Sequence, residues 1–324
     1  MSLESMYSNF QTNFTMFMAS NLMLRSQFVI EFVFYFIAML IQISLLYRIY
    51  TTSLYKQLST NLIINIIFWI LVSAAGSLHT GYMIRFFQFG PPYWGPAVLW
   101  TGSFYYASLT SVSITVFFLL LDRIYSLNAP VSYSRHRKLF VRLTIGVALG
   151  VGTLVQFVVP IMELPIEETT LCPVFTCLLV KHRGYLMVAP RVVCGIFNVY
   201  LAYICWRKIA VYRQSGGLQS SFRRSNFISM IAIYTELLLN FLPTVVYLSL
   251  QFFVVDQWNY LGTFSFVFFS TDALVTSVLY HIVVTRRWSK TEPNRSSSHR
   301  QIQRAGLTTT FQTTNTFQTT TNFH

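Results

Sequence analysis

The sequence predicts an all-α membrane protein: a seven-transmembrane helix bundle with the N-terminus outside the cell and the C-terminus in the cytoplasm. Three observations support this fold class. The 324 residues are 54% hydrophobic and only 10% charged, whereas about a quarter of the residues in an average soluble domain are charged. Seven apolar stretches each approach the roughly 20 residues that a membrane-spanning helix needs. Finally, Lys and Arg concentrate in alternate connections between those stretches.

The seven predicted spans are joined by short connections, and their limits are the limits of the apolar runs. Pro190 and Arg191 interrupt the run of the fifth span. A proline inside the sixth, Pro243, predicts a kink there, because proline removes one backbone hydrogen bond. The predicted spans are residues 27–47, 58–80, 97–121, 143–162, 185–205, 227–250 and 260–284.

Two segments flank the predicted membrane domain, residues 27–288. Residues 1–26 have mixed polarity and form a predicted extracellular segment, in which Asn13 begins a glycosylation sequon. Residues 289–324 form a Thr- and Gln-rich cytoplasmic tail that lacks apolar periodicity and is predicted to be disordered. Two interpretations of its Ser and Thr residues stay open: phosphorylation that attracts a cytoplasmic partner, or an inert spacer.

The orientation follows from the distribution of the basic residues. With the N-terminus outside, most of the 23 Lys and Arg residues fall on the cytoplasmic side, as the positive-inside rule requires. The opposite orientation would invert that bias in every connection. The same rule accounts for the net charge of +13 without nucleic acid as a partner, since the basic residues form no contiguous basic domain.

Cys172 and Cys177 share the connection between the fourth and fifth spans. On the outer side an oxidising environment permits a disulfide between them; two free or separately paired thiols are the alternative. The four cysteines lack the spacing and the His partners of a zinc site. We therefore predict no metal and no cofactor.

The third span combines an outer half of aromatic and hydroxyl residues with a charged inner end. Residues 100–121 are about as long as a bilayer core is thick, and the apolar run stops at Asp122 and Arg123. Its outer half carries aromatic and hydroxyl side chains that suit a small, neutral or weakly polar ligand; ordinary packing between helices is the alternative. The predicted ligand-binding residues there are Thr101, Phe104, Tyr105, Ser108 and Leu109.

Ionisable residues inside a membrane are costly and therefore mark candidate functional sites. Glu236 and Asp272 lie at mid-depth in the sixth and seventh spans, and Asn240 follows Glu236 at the i+4 position. We expect these three to form a polar network. Arg191 lies near the outer end of the fifth span, where it either binds an anionic group of the ligand or snorkels to the outer headgroups.

Several motifs resemble those of the rhodopsin-like G-protein-coupled receptors. Their third helix ends in an acidic-Arg-Tyr triplet; Asp122 and Arg123 match it, with Tyr125 one position late. Asn-Phe-Leu-Pro at 240–243 stands where their sixth helix has Cys-Trp-x-Pro, and Tyr280 ends a Thr-Ser-Val-Leu-Tyr run where their seventh has Asn-Pro-x-x-Tyr. The eroded motifs and the stretch 121–138, LDRIYSLNAPVSYSRHRK, resemble the nematode serpentine chemoreceptors.

The chain also departs from the rhodopsin-like pattern. No cysteine lies near the outer start of the third span, so that family's usual disulfide to the second outer loop is missing. The second span has no Asp at its middle, and the fourth has no Trp. The subfamily is therefore left open.

The resemblance implies a chemosensory receptor of the plasma membrane, sited in a sensory cilium in its relatives. Its partners would be a small odorant- or pheromone-like ligand, a heterotrimeric G protein, membrane lipid and an arrestin-like protein at the tail. The alternative function is a transporter or ligand-gated ion channel that uses Glu236, Asp272 and Arg191. We do not expect an enzyme, because the scattered histidines form no His-Glu-x-x-His motif. The resemblance assigns G-protein coupling and activation to Asp122, Arg123, Tyr125, Phe241, Pro243 and Tyr280.

Overall fold

The computed structural model describes residues 3–56, 58–89, 93–164, 168–170, 175, 185–214, 230–253 and 264–288. By its internal contacts the chain divides into two units, Met1–Tyr280 and His281–His324. The first contains almost all of the described residues and is nearly all helical. Of the second, residues 281–288 are described, and they are helical. The predicted tail, residues 289–324, and the Cys172 and Cys177 pair lie outside the described residues.

Seven α-helices of more than ten residues lie within the described ranges: α1 (Leu3–Thr51), α2 (Thr60–Phe89), α3 (Gly95–Asn128), α4 (Pro130–Glu163), α5 (Tyr185–Gln214), α6 (Leu242–Phe253) and α7 (Phe264–Trp288). A short 3₁₀-helix, Leu54–Lys56, follows α1, and a π-helix, Glu236–Phe241, leads directly into α6. Strand β1 (Tyr93–Trp94) pairs antiparallel with β2 (Thr169–Thr170), with Tyr93 opposite Thr170.

Six of the helices in the described ranges are long and apolar enough to cross a membrane. An additional stretch, Met230–Val246, is apolar but shorter. These findings establish a helical, multi-pass membrane protein, as the composition predicts. The six are Leu22–Thr51, Thr60–Arg85, Gly95–Asn128, Arg135–Glu163, Met187–Val211 and Ser265–Val284.

Helix α3 occupies the centre of the bundle. Of its most apolar stretch 83% is buried, against 28% for the corresponding stretches of α1, α4 and α5. It packs against α2, α4 and α5. Small side chains permit this close approach: Ser111 donates a hydrogen bond to the carbonyl oxygen of Ala148 on α4 at 2.9 Å, and a Cβ atom at Gly152 would collide with the Ser111 hydroxyl.

Several helices extend beyond the apolar runs that predict them. Helix α1 begins at Leu3, within the predicted N-terminal segment, and α4 begins at Pro130, well before the predicted fourth span. A helix does not end where its hydropathy falls, because the backbone hydrogen bonds continue into the polar turns at the membrane surface. Pro130 suits the first turn of α4, since its fixed φ angle is already helical. Pro190 lies inside α5 without ending it.

The sixth predicted span is interrupted by the π-helix. Residues 230–235 are α-helical, and the amide of Leu242 then donates to the carbonyl of Leu237, five residues earlier. Pro243 explains the location, since it has no N–H to donate to the carbonyl of Leu239 and its ring crowds the preceding turn. A wider turn just before the proline accommodates that crowding. The span in which the sequence predicts a kink at Pro243 therefore contains a π-helix immediately before α6.

Candidate functional site

The first of three buried clusters lies where α3 ends and where α2 and α4 begin. This Asp122 cluster consists of Ser59, Asn61, Asp122, Arg123 and Tyr133. The Ser59 hydroxyl donates to Asp122 Oδ2 at 2.9 Å, the Asn61 amide donates to Oδ1 at 2.9 Å, and the Tyr133 hydroxyl donates to Oδ1 at 2.6 Å. Burial, and after it the neighbouring carboxylate, raises the pKa of Tyr133, so its hydroxyl stays a donor. Three uncharged donors thus satisfy the carboxylate.

Arg123 is buried in the same cluster but is weakly held. Its side chain is 6% exposed, and its Nη2 lies 3.9 Å from Asp122 Oδ2, too far for a hydrogen bond. Neither Nε nor Nη2 has a hydrogen-bond partner among the described residues. A guanidinium prefers several planar, charge-assisted hydrogen bonds, so Arg123 has capacity for a further partner.

The late tyrosine, Tyr125, takes part in the contact between α3 and α4. Its hydroxyl lies 2.7 Å from the Ser132 hydroxyl, and its ring stacks on Phe140 with centroids 5.3 Å apart. At the same end of the bundle, Lys208 on α5 donates to Asn128 Oδ1 at 2.6 Å. Tyr125 therefore stabilises the helix pair that carries Asp122 and Tyr133.

The second cluster lies half-way along α3. This Glu236 cluster consists of Ser113, Arg191, Asn198, Glu236 and Asn240, and all five are buried. Ser113 donates to Glu236 Oε1 at 2.6 Å, and the Asn240 amide donates to Oε2 at 3.0 Å. Arg191 Nη2 donates to Asn240 Oδ1. The predicted pairing of Glu236 with Asn240 is present, and the cluster joins α3, α5 and the π-helix.

Arg191 turns into the bundle, so the snorkelling interpretation of this residue is wrong. Its side chain is only 3% exposed, and its guanidinium carbon lies 4.3 Å from the centroid of the Phe269 ring on α7. An amide acceptor and an aromatic face inside the bundle replace the headgroups as its partners. Arg191 Nε has no hydrogen-bond partner among the described residues.

A small cavity adjoins the Glu236 cluster between α5 and the π-helix. It has room for about one water molecule. Asn198 donates to the carbonyl of Ser113 at 3.1 Å, while its own Oδ1 lacks a described hydrogen-bond partner. Buried amide oxygens of this kind are commonly satisfied by an internal water. The cavity is lined by Gly195, Asn198, Val199, Ala202, Ile233, Glu236, Leu237 and Phe241.

Asp272 on α7 lies apart from the hydrogen bonds of the Glu236 cluster. The Thr276 hydroxyl lies 3.1 Å from Asp272 Oδ1 and 2.9 Å from the hydroxyl of Thr235. Thr235 is the residue just before the π-helix. The second oxygen, Oδ2, has no hydrogen-bond partner among the described residues. Within those residues, no group of three or more His, Cys, Asp or Glu side chains is arranged to hold a metal ion.

The third cluster lies near the end of α3 that follows Trp94. This aromatic cluster consists of Tyr35, His79, Tyr105, Tyr106, Phe175, Phe266 and Phe269. Tyr105 lies at its centre: its hydroxyl bonds to that of Tyr35, and its ring packs against Phe266 at 5.6 Å and against His79 at 6.1 Å. The structure thus places aromatic rings from α1, α2, α3 and α7 together, with Phe175 added from the connection after α4.

The predicted ligand-binding residues of α3 border or belong to this aromatic cluster. Tyr105, Ser108 and Leu109 are buried, whereas Thr101 and Phe104 are partly exposed. The Thr101 hydroxyl lies 3.0 Å from His79 Nδ1. Ser108 donates to the carbonyl of Phe104 in its own helix at 2.8 Å. Tyr105 therefore contacts α1, α2 and α7, whereas the Ser108 hydroxyl is satisfied within its own helix.

The remaining predicted residues also contact neighbouring helices. The Tyr280 hydroxyl donates to Asn65 Oδ1 at 3.1 Å, and the Asn65 amide donates to Thr115 at 2.9 Å. The Phe241 ring packs so closely on Gly195 that a Cβ atom there would collide with it, and Pro243 is buried as the second residue of α6. Asn13 lies in the helical backbone of α1, but its side chain is outside the described residues.

Several residues that the sequence did not single out complete these clusters or form further hydrogen bonds between helices. The signal that marks them is a polar side chain inside an apolar run, which is costly unless it is hydrogen-bonded. Gln42 is an example, since its amide donates to Ser277 on α7 at 2.6 Å. These residues are Tyr35, Gln42, Ser59, Asn61, Asn65, Ser113, Tyr133, Asn198 and Ser277.

The three clusters share one helix, since α3 contributes Tyr105, Ser113 and Asp122 to them in turn. Each cluster contains side chains from several helices, so a shift of one helix changes hydrogen bonds or ring contacts in more than one of them. No protein-family model matches the chain, and no curated protein matches it.

Proposed function

We propose that this protein is a seven-helix chemosensory receptor of the plasma membrane, which binds a small extracellular ligand and activates a heterotrimeric G protein. In this proposal the stretch Met230–Val246, together with the rest of α6, is the sixth span. The N-terminus lies outside, so the Asp122 cluster lies at the cytoplasmic end. The observation that carries the proposal is Arg123: its guanidinium is buried, while two of its nitrogens lack hydrogen-bond partners among the described residues.

The Asp122 cluster supports an exchange of partners. Asp122 already accepts three hydrogen bonds from uncharged groups, so it does not depend on Arg123. Arg123, 3.9 Å away, can turn toward a protein that enters the cytoplasmic end of the bundle without leaving an unpaired carboxylate behind. A side chain with two alternative sets of partners is a two-state element that a ligand can bias.

The aromatic cluster is the proposed ligand site. Its rings and hydroxyls suit a small molecule of low polarity, and Thr101 and Phe104 remain partly exposed beside it. A ligand that packs against Tyr105 acts on α3, the helix that also holds Ser113 and Asp122. The ligand contributes only the difference between its affinities for the two packings of the bundle.

The test is a coupling assay. Cells that express the chain with a G-protein reporter are screened with volatile and small polar compounds, and responding compounds are then applied to Arg123→Ala. We expect this variant to lose the response at an unchanged surface level. Arg207→Ala is the matched control, because Arg207 is exposed on α5 and contacts Tyr203 of its own helix. A wild-type response from Arg123→Ala would refute the proposed role.

The orientation has its own test. In the proposal Asn13 is extracellular and its sequon receives a glycan. Digestion with a glycosidase should then shift the wild-type band on a gel and leave Asn13→Gln unchanged. A shift that survives the substitution would exclude Asn13 as the modified residue. An unglycosylated wild type whose N-terminal tag is found in the cytoplasm would show the opposite orientation and contradict the proposal.

A transporter or ligand-gated ion channel is the second candidate, and one observation favours it. Glu236, Arg191 and Asp272 are all buried near the middle of the bundle, where proton and ion pathways place ionisable groups. A ligand-evoked current that persists without G proteins and disappears in Glu236→Gln would replace the receptor proposal by this one.

A further inference from the structure

The first turns of α4 have two distinct faces. One face contacts the bundle: Tyr133 donates to Asp122, Arg137 donates to Thr60 at 2.8 Å, and Thr144 donates to Asn61 Oδ1 at 3.3 Å. Ala148, one turn after Thr144, is fully buried. These contacts fix the rotation of α4 about its own axis, and so determine which residues face outward.

Three basic residues lie on the opposite face. Arg135, Lys138 and Arg142 are exposed, and their spacing of three and then four residues places them in one row about 10 Å long. No ion pair links any of them to a described residue, and α4 has no acidic residue before Glu163. Their charges are therefore not neutralised within the helix. We call these three residues the basic row.

The basic row continues into an apolar surface. Leu139 lies beside the basic row and is 53% exposed. Leu149 follows on the same face of α4 and is 49% exposed. The candidate membrane span of α4 begins at Arg135, and only 28% of its most apolar stretch is buried in the bundle. The surface beyond the row therefore faces lipid tails, and the row lies where this surface leaves the hydrocarbon.

We propose that the basic row binds the headgroup of an anionic phospholipid, whose acyl chains lie along the exposed apolar face of α4. Guanidinium and ammonium groups are suited to phosphate oxygens, and basic clusters beside a membrane span attract anionic lipids. The apolar continuation identifies a lipid as the ligand in preference to a soluble phosphate, which would leave Leu139 and Leu149 uncovered. Arg137 takes no part, because it turns toward Thr60.

The experiment uses the purified full-length chain in nanodiscs of phosphatidylcholine with increasing fractions of fluorescent phosphatidylinositol bisphosphate. Energy transfer from the protein to the labelled lipid reports binding. The test variant is the triple substitution Arg135→Gln, Lys138→Gln, Arg142→Gln. The charge-matched control is Arg48→Gln, Arg207→Gln, Lys208→Gln, which removes three basic residues from the same end of the bundle but from α1 and α5. Melting temperatures confirm that both variants fold.

We expect the test variant to bind the lipid roughly 100-fold more weakly, which corresponds to about fivefold for each charge removed. The control should weaken binding by much less. Equal weakening in both would show a general effect of net charge and overturn the proposal, as would unchanged binding in the test variant. Competition by soluble inositol trisphosphate as strong as by the lipid would overturn the lipid as the ligand. Unchanged lipid binding with lost G-protein coupling would assign the row to a protein partner instead.

Discussion

The Asp122 and Glu236 clusters contain the same two charged groups, a carboxylate and an arginine, but connect them differently. In the Asp122 cluster three neutral donors satisfy the carboxylate, and Arg123 has no hydrogen bond to it. In the Glu236 cluster Asn240 bridges the pair, since it donates to the carboxylate and accepts from Arg191. An amide that bridges a pair holds both members, whereas donors that saturate the acid leave the arginine able to change partners.

The largest effect should come from breaking the bridged pair. Glu236→Leu leaves the Ser113 hydroxyl and the Asn240 amide without their buried acceptor, and it leaves the charge of Arg191 without a carboxylate in the cluster. Removing one member of a buried charged pair costs about 3 kcal/mol or more. We expect a loss of unfolding free energy of that order, measured by chemical unfolding of the chain in detergent micelles.

A double-mutant cycle is the control for this prediction. If Arg191 and Glu236 are coupled through Asn240, the variant with both Arg191→Met and Glu236→Leu should lose about 1 kcal/mol less than the sum of the two single losses. Strict additivity would mean that Asn240 does not couple the two charges, and the contrast with the Asp122 cluster would disappear.

The next largest effect should come from Gly195→Ala, which tests how closely the π-helix packs on α5. The added methyl group collides with the Phe241 ring, and forcing extra volume into a packed interior costs about 2 kcal/mol. Thermal unfolding in detergent should show the loss. Gly150→Ala is the matched control, because nothing lies within 4 Å of the added atom; its melting temperature should stay the same or rise.

A smaller effect is expected at the Asp122 cluster. Tyr133→Phe removes one of three donors to the carboxylate, so we expect a loss of about 1 kcal/mol. The raised pKa of Tyr133 adds a pH dependence. The folded chain keeps this proton when the unfolded chain loses it, so the contribution is complete below about pH 10 and declines as the pH rises further. The stability difference between wild type and Tyr133→Phe, followed from about pH 8 to about pH 11, should therefore shrink above about pH 10.

The smallest effect should come from Ser113→Ala. This change removes one hydrogen bond to Glu236 and leaves the bridging Asn240 in place. Hydrogen bonds between membrane helices contribute about 0.6 kcal/mol on average. Ser108→Ala provides the comparison, since the Ser108 hydroxyl donates only to its own helix and its removal should be nearly neutral. If both substitutions cost the same, the bond between Ser113 and Glu236 does not stabilise the bundle.

The sequence was informative about properties that depend on one segment. The composition predicts the helical membrane fold, and the i, i+4 spacing predicts the contact between Glu236 and Asn240. Contacts between segments could not be predicted in this way. Ser59 and Asn61 reach Asp122 across about 60 positions of the chain, and the direction of Arg191 depends on the rotation of α5 about its axis. The late Tyr125 contacts α4, which only the packing of the two helices reveals.

The π-helix has a consequence for how this chain should be aligned with others. One extra residue within the Glu236–Phe241 turn shifts every later side chain by about 100° relative to an uninterrupted α-helix. Residues on either side of it therefore cannot both be in phase with the same α-helical template. A gapless alignment that matches Pro243 to a proline in an uninterrupted helix pairs positions before Glu236 with side chains that point elsewhere; a one-residue gap inside the π-helix restores the correspondence.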